Sequence, residues 1–377
     1  MHLVPISVVI HEICIGMPLR FNVRDRKGDM LLAEGFMVSS ERTLDGLIER
    51  GVFVDMDEVD AITEASNAVP LTSTEAFIRS WENLQSGLRD FFSGEGADLS
   101  AGYIKQCIEQ IIQLSDRSPD LLIFLILRHD QTQHDNYGVL HTLHVAAACS
   151  LIALRLKWSE AERQSLVGAA LTMNHAISDL QGQLASQRRQ VLTDEQRELI
   201  QLHPAEAAAW LRQLGVVDEN WLTAVEQHHE TPAGDGYPAH LGNPTAMSQV
   251  LRYIDIFVAK LSSRATRLAE LPDLAARQLF TENRAAPLAA VVIKEFGIYP
   301  PGCYVKLVSG EIAIVTRRGA HANTPMVAAL TNGDGYALDE PVRRDTSKPA
   351  HAVSEIIGEN AVFVRPSWPR LHEMSFG

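Results

Sequence analysis

The spacing of hydrophobic and polar positions changes twice along this 377-residue chain. In residues 1 to about 65, short apolar runs alternate with turn-forming residues. The polar stretch Arg24 to Gly28 separates two strand-like runs and predicts a β-hairpin. A Ser cap and a Gly stop predict a short helix over Ser39 to Gly51. Residues 1–70 are therefore predicted to form a small α+β module.

The middle of the chain, residues 71–297, has apolar positions at helical spacing. The pairs Ser159/Glu162 and Thr193/Gln196 read as capping boxes ahead of two of these stretches. Residues 298–377 are strand-like again, with β-branched residues around a Ser309-Gly310 turn. The predicted fold class is mainly α, a helical bundle flanked by a small N-terminal α+β module and a small C-terminal β module.

Composition narrows the classes of function. The formal net charge of −14 argues against a general nucleic-acid binder, which needs a basic surface, but it leaves room for a small anionic ligand. The four cysteines show no CxxC spacing, which predicts reduced thiols in a cytoplasmic protein. No secretory leader and no membrane span are expected, because the apolar runs are too short.

The first candidate chemistry is the adjacent pair His228 and His229. Trp221, Leu222 and Val225 precede the pair at helical spacing, and a Gly-rich turn follows it. Neutral imidazoles at such a helix end can present nitrogen donors to a divalent metal. The alternative is a helix terminus with two solvated histidines.

Three more polar residues fall on apolar faces of predicted helices: His141, His203 and Asp255. A carboxylate on an apolar face is costly unless it meets a cation or hydrogen-bond donors. Each position alone is more often a satisfied core residue. Together with the His228-His229 pair they predict a metal-type pocket inside the bundle.

A family resemblance joins these residues. The segment HHETPAGDGYP resembles the HD-GYP signature HHExxDGxGYP, with Gly236, Tyr237 and Pro238 as the eponymous tripeptide. Downstream, SSRATR is similar to the DRPYR element of that family and keeps Arg264 and Arg267. The resemblance implies an HD-type helical bundle. It also implies hydrolysis of cyclic-di-GMP at a centre of two or three metal ions, often manganese or iron.

The resemblance implies metal-ligand roles for the candidates already named, which are His141, His203, His228, His229 and Asp255. Comparison with the family motif also shows a difference at the positions of the His-Asp dyad. Family members read AALLHDIGK where this chain reads AALTMNHAI, so Met173 and Asn174 stand at the His-Asp dyad and Ile177 at the Lys position. The resemblance implies that the dyad aspartate bridges two metals. A neutral amide and a soft thioether are poor substitutes for Mn²⁺ or Fe²⁺ ligands, so we expect one ion at best and assign no catalytic residue.

Few residues near the motif could take over the roles of the residues that differ from the family pattern. His175 follows Met173 by two residues, and a rotation of about 200° on a helix would turn it elsewhere. Ala233 replaces the aspartate of DGxGYP, and Asp235 is a candidate for part of its role. Arg264 and Arg267, three apart on a predicted helix, would share a face able to hold phosphate oxygens, although a solvated basic turn is an equal alternative.

The sequence therefore leaves three hypotheses. The first is a catalytically impaired HD-GYP module that binds a nucleotide or a signalling partner, such as a diguanylate cyclase. The second is a divergent, active metal-dependent phosphodiesterase that uses the four remaining histidines and Asp255. The third is a helical scaffold whose histidines are core polar groups. The oligomeric state stays open, with a homodimer among the alternatives.

Overall fold

The computed structural model describes residues 2–13, 19, 21–34, 36, 38, 44, 46–48, 50–59, 73–94, 100–128, 136–187, 191–282, 287–364 and 371. The chain divides into two compact units, Met1–Thr72 and Ser73–Gly377. The mainly α fold class with two small antiparallel sheets is confirmed. The finer division into three domains stays a prediction.

The N-terminal unit contains a small antiparallel sheet. Its strands are β1 (Leu3–Pro5), β2 (Val23–Arg24), β3 (Met30–Leu32) and β4 (Phe53–Asp55), in the order β1-β4-β2-β3. The predicted hairpin is confirmed, because β2 pairs with β3 across a turn in which Gly28 takes a φ of 93°. A 3₁₀ helix, Ile6–Glu12, follows β1. The predicted helix over residues 39–51 lies largely outside the described residues.

Helices make up the first part of the second unit. They are α1 (Ser73–Ser93), α2 (Ala101–Arg117), α3 (Pro119–Leu127), α4 (Tyr137–Leu156), α5 (Glu160–Thr172), α6 (Ser178–Ser186), α7 (Asp194–Gln213), α8 (Glu219–Gln227), α9 (Ala246–Leu261), α10 (Pro272–Glu282) and α11 (Pro287–Phe296). A 3₁₀ turn, His175–Ile177, joins α5 to α6. Both predicted capping boxes are present, at the start of α5 and of α7.

Helix α4 is the central helix of this bundle, and nearly all of its side chains are buried. By length and composition alone, α4 is apolar enough to cross a membrane, but 78% of its most apolar window is buried inside the protein. A helix that other helices surround in a protein core is also apolar on all of its faces. The apolarity of α4 is thus accounted for by packing against α5, α9 and the other helices around it.

The C-terminal sheet belongs to the same compact unit as the helices. Its strands are β5 (Tyr304–Leu307), β6 (Ile312–Arg317), β7 (Met326–Thr331), β8 (Ala337–Asp345) and β9 (Val353–Ile357), in the order β8-β7-β6-β5-β9. Val305 and Val315 join the hydrophobic core of the bundle. Arg318 pairs with Asp120 of α3 and, at 2.9 Å, with Glu295 of α11. Apolar contacts and ion pairs together fix this sheet against the helices.

Candidate metal centre

Three histidines meet where α7 passes the end of α8. One ligand nitrogen from each of His203, His228 and His229 lies within 4.8 Å of the others. His203 belongs to α7, while His228 ends α8 and His229 follows it. The predicted placement of the His228-His229 pair at a helix end is therefore confirmed. We call these three residues the histidine triad.

Local sequence explains how His203 is oriented. In a helix, the N–H of residue 204 would normally bond to the carbonyl of Ile200, but residue 204 is a proline without an N–H. The free Ile200 carbonyl instead accepts the Nδ1–H of His203 at 2.6 Å. The Nε2 lone pair of His203 is thereby directed away from its own helix. The His-Pro dipeptide thus sets both the tautomer and the direction of this ring.

His228 is oriented by the same principle at a helix end. The last carbonyls of a helix lack partners within it, and the Val225 carbonyl accepts the Nδ1–H of His228 at 2.7 Å. The Nε2 atoms of His203 and His228 then face each other at 3.1 Å. If both Nδ1 atoms carry their protons, two lone pairs converge on one point.

Two lone pairs that face each other at this distance repel each other unless a cation lies between them. Burial lowers the pKa of His203 to about 3, and burial likewise lowers the pKa values of His228 and His229. A proton between the rings is therefore disfavoured at neutral pH. Neutral imidazoles with their Nδ1–H groups held by carbonyls are the form in which histidine binds a divalent metal. The donor set fits one such ion.

The remaining two predicted ligands pair with each other. His141 on α4 donates from Nε2 to Oδ1 of Asp255 on α9 at 2.7 Å. Burial opposes the charge on Asp255, but the hydrogen bond from His141 and the nearby imidazoles outweigh it and lower the pKa of this carboxyl. The charge of Asp255 also raises the pKa values of His228 and His229, against the larger effect of burial.

The two dyad positions lie at the end of α5. Met173 is fully buried in the apolar core, and Asn174 is buried beside it. The hydroxyl of Thr172, one residue earlier, accepts a hydrogen bond from the indole of Trp221 on α8 at 2.9 Å. The segment is therefore held against the first turn of α8, the helix that ends at His228, and the side chains at both dyad positions are uncharged.

His175 points into a different part of the bundle. Its ring stacks on Trp210 at a centroid distance of 3.7 Å and lies 5.6 Å from Phe92. Trp210 is seven residues beyond His203 on α7, a rise of about 10 Å along the helix. His175 is absent from the triad group among the described residues, which agrees with the prediction that it faces elsewhere.

The loop after the triad carries the GYP residues. The Tyr237 ring stacks on His229 at 4.5 Å with an interplanar angle of 21°, and Pro238 is exposed. Asp235 accepts a hydrogen bond from the Thr231 hydroxyl, so it does stabilise the turn. Glu230, which sequence reasoning did not single out, is fully buried and accepts from the backbone N–H groups of Ala239 and Leu241. Its place in the HHE motif was the available signal.

The predicted helix through Arg264 and Arg267 is wrong. Helix α9 ends at Leu261, and the backbones of Arg264 and Arg267 face each other across a tight turn. A helical shared face therefore does not exist. Arg264 donates to the Tyr137 hydroxyl at 2.9 Å, and Arg267 donates to the Ala259 carbonyl at 2.6 Å. Both guanidinium groups have intramolecular partners.

Tyr137 links this turn to the metal-ligand candidates. Its ring lies under the Arg264 guanidinium at 4.9 Å and is stacked on His141 at 5.5 Å. Arg264 therefore contacts the site through Tyr137 and His141. The structure assigns it a supporting position behind His141.

Three histidine nitrogens thus converge inside a helical domain, a donor set able to hold a metal ion. The family model described as "HD domain" matches residues 115–284, and this part of the chain is an HD domain. Among solved structures, the chain is similar to Bd1817, a HDG"Y"P protein from Bdellovibrio bacteriovorus, at 16% sequence identity and a TM-score of 0.48. That similarity covers 77% of this chain and 96% of the other. No curated protein matches the chain.

Proposed function

We propose that this protein is a degenerate HD-GYP protein of cyclic-di-GMP signalling, in which phosphodiester hydrolysis is impaired or lost. The helical domain would then act as a nucleotide-sensing or protein-interaction module. One observation carries the proposal. The helical domain holds a histidine triad whose nitrogens converge, while the residues of its dyad segment, Met173 and Asn174, are uncharged and buried.

The triad supports binding of a single divalent ion. His203 and His228 present facing Nε2 atoms with carbonyl-held Nδ1–H groups, and His229 adds a third nitrogen. Manganese and iron are the ions that the HD-GYP resemblance implies, and imidazole suits iron well. Such an ion would supply Lewis acidity, while the chain's own residues would orient and desolvate it.

Loss of hydrolysis follows from the dyad positions. In-line phosphodiester cleavage at a dinuclear centre uses two cations held together by an anionic bridge. Asn174 has no charge to offset the repulsion between two cations. Met173 offers a soft thioether that suits neither Mn²⁺ nor Fe²⁺. The bridging role therefore has no anionic group at its expected place.

Ligand recognition is proposed for the residues around the GYP loop. Gly236, Tyr237 and Pro238 border the triad, and Pro238 is exposed. Arg264 and Arg267 would contact a phosphate only after exchanging their present partners, Tyr137 and Ala259. We therefore propose the GYP loop as the main ligand contact and the two arginines as secondary contacts. A cytoplasmic setting and a signalling partner such as a diguanylate cyclase complete the proposal.

A specific observation favours the second candidate, an active metal-dependent phosphodiesterase. The hydrogen bond from His141, at 2.7 Å, lowers the pKa of Asp255 against the effect of burial, so this carboxyl favours its charged form. Should the His141-Asp255 pair open, it would offer one nitrogen and one carboxylate to a second ion. This candidate then needs a bridging anion from outside the dyad positions.

The two candidates are separated by measuring cyclic-di-GMP turnover and binding together. Manganese- and iron-loaded protein is incubated with cyclic-di-GMP, and linear dinucleotide product is followed by chromatography. Calorimetry on the same samples measures nucleotide binding. Our proposal expects binding without product. Turnover that disappears in His229→Ala and persists in the control His321→Ala, an exposed histidine outside the site, would establish the active phosphodiesterase instead.

A further inference from the structure

The three histidines of the triad are not held in the same way. His203 and His228 each donate an Nδ1–H to a backbone carbonyl of their own helix. His229 follows the end of α8, and its ring is packed face to face on Tyr237 at 4.5 Å. Offset stacking of aromatic rings at this distance restricts ring rotation. The third ring is thus oriented by a side chain where the other two are oriented by the main chain.

The position of Tyr237 is fixed by the residue before it. A Cβ atom at Gly236 would lie 2.5 Å from the His229 carbonyl oxygen and 2.6 Å from the Glu230 Cα. Only glycine permits this close approach of two backbone segments. The loop therefore folds directly back onto the end of α8. This approach places Tyr237 over the histidine that ends the triad.

Glu230 closes the same loop from its other side. Its carboxylate is fully buried and accepts the N–H groups of Ala239 at 2.6 Å and Leu241 at 2.8 Å. A buried carboxylate that accepts two backbone hydrogen bonds is a strong and directional anchor. Because Glu230 is adjacent to His229 in the chain, the anchor ties residues 239–241 to the triad itself.

We propose that Tyr237 is a positioning residue for His229, and that Gly236 and Glu230 hold Tyr237 in place for that purpose. The ring of Tyr237, and not its hydroxyl, carries the function. The loop thus supplies to His229 the orientation that backbone carbonyls supply to His203 and His228. This inference rests on the proposed function in one respect, namely that His229 is a ligand of the divalent ion.

The first test is a Co²⁺ titration of the full chain, read from visible absorption. Outer-shell partners of metal ligands typically contribute a factor of about 10 to 100 in metal affinity. We expect Tyr237→Ala to weaken Co²⁺ binding about 10-fold. Tyr237→Phe, which keeps the ring, should stay close to the wild-type affinity. Tyr336→Ala serves as control, because Tyr336 is 73% exposed. Equal affinity for Tyr237→Ala and wild type would overturn the inference.

A second test works on the metal-free protein. The Tyr237 ring should shield the carbon-bound ring protons of His229, so their NMR signals should move downfield in Tyr237→Ala. The signals of His203 and His228 should move less. Equal shifts in all three rings would contradict the proposal. If Tyr237→Ala does not fold, Tyr237→Leu replaces it, since leucine keeps apolar packing without a ring.

A pair of glycine variants tests the loop itself. Gly236→Ala should disturb the His229 ring signals and weaken Co²⁺ binding, whereas Gly242→Ala should do neither, because its Cβ would meet nothing closer than 4.0 Å. Matching behaviour of the two variants would count against the role of Gly236. Failure of the wild type to bind Co²⁺ would remove the metal part of the proposed function. The NMR comparison would still test whether Tyr237 positions His229.

Discussion

The histidine triad and the dyad segment belong to the same helical bundle, but only the triad presents groups able to bind a metal ion. In the triad, His203 and His228 hold the tautomer and direction that a metal ligand needs. In the dyad segment, Met173 and Asn174 occupy buried places with no charge. The triad depends on backbone carbonyls that the helices provide. The dyad depends on two side chains that substitution can remove without unfolding the segment.

Packing explains why the dyad segment stays in place. Thr172 accepts a hydrogen bond from Trp221, and His175 stacks on Trp210, so the residues on both sides of Met173 and Asn174 are held by neighbouring helices. Met173 fills core volume as an apolar side chain. Replacement of buried charged groups by a well-packed apolar side chain is often neutral or stabilising. Under the proposed function, the fold would therefore persist without the hydrolytic chemistry.

The largest effect is expected from removing a ligand of the triad. His228→Ala deletes one of the two facing Nε2 atoms. We expect Co²⁺ affinity to fall more than about 100-fold, beyond the range of outer-shell effects. Isothermal titration calorimetry measures it, with His321→Ala as control. An affinity within ten-fold of the wild type would mean that the triad is not the metal site.

The converse change restores the dyad. The double variant Met173→His with Asn174→Asp reintroduces an imidazole and a bridging carboxylate at the buried positions. We expect metal content to rise from one ion per chain toward two, measured by mass spectrometry of the purified protein. No gain in metal content would contradict the alignment of these positions with the His-Asp dyad.

The pH dependence of folding stability tests whether His203 of the triad is held neutral by burial. His203 stays neutral in the folded metal-free protein down to a pKa of about 3, while in the unfolded chain it takes up a proton near its ordinary value. The unfolded state then binds more protons, so stability is lost as pH falls from about 6.5 toward 3, by about 1.4 kcal/mol per pH unit for such a histidine.

This loss is measured by urea unfolding at several pH values. His203→Asn should show a shallower dependence on pH than the wild type across that window. His321→Ala should match the wild type. If the wild type and His203→Asn show the same slope, the His203 imidazole is not held neutral by burial.

The smallest effect is expected at His175. Its ring lies on Trp210, about two turns of α7 away from His203. His175→Ala should therefore leave Co²⁺ affinity within about two-fold of the wild type, as for independent sites. A fall comparable to that of His228→Ala would show that His175 has taken over a ligand role.

Sequence patterns predicted the parts of the site that are set locally. The capping boxes, the hairpin and the placement of His228 and His229 at a helix end depend on neighbouring residues, and the structure confirms them. The HD domain was predicted from a motif and is confirmed. The cyclic-di-GMP ligand stays a proposal.

Tertiary contacts account for what the sequence did not predict. The bond between His141 and Asp255 joins α4 to α9 across 114 residues, and no local pattern encodes it. The segment at Arg264 was predicted as helix from its spacing. In the structure, the backbone N–H of Ala265 donates a hydrogen bond to the Ala185 carbonyl of α6, and the segment forms a turn that packs against that helix. Glu230 was missed because its partners lie on a loop nine and eleven residues later.

The central claim is that the chain retains one metal position and has lost the bridge to a second. Metal analysis of protein purified without chelator, with iron and manganese present during expression, tests this claim most directly. We predict one ion per chain, and none in His228→Ala. Two ions per chain in the wild type would contradict the account, because some anionic group other than Asn174 would then be joining them.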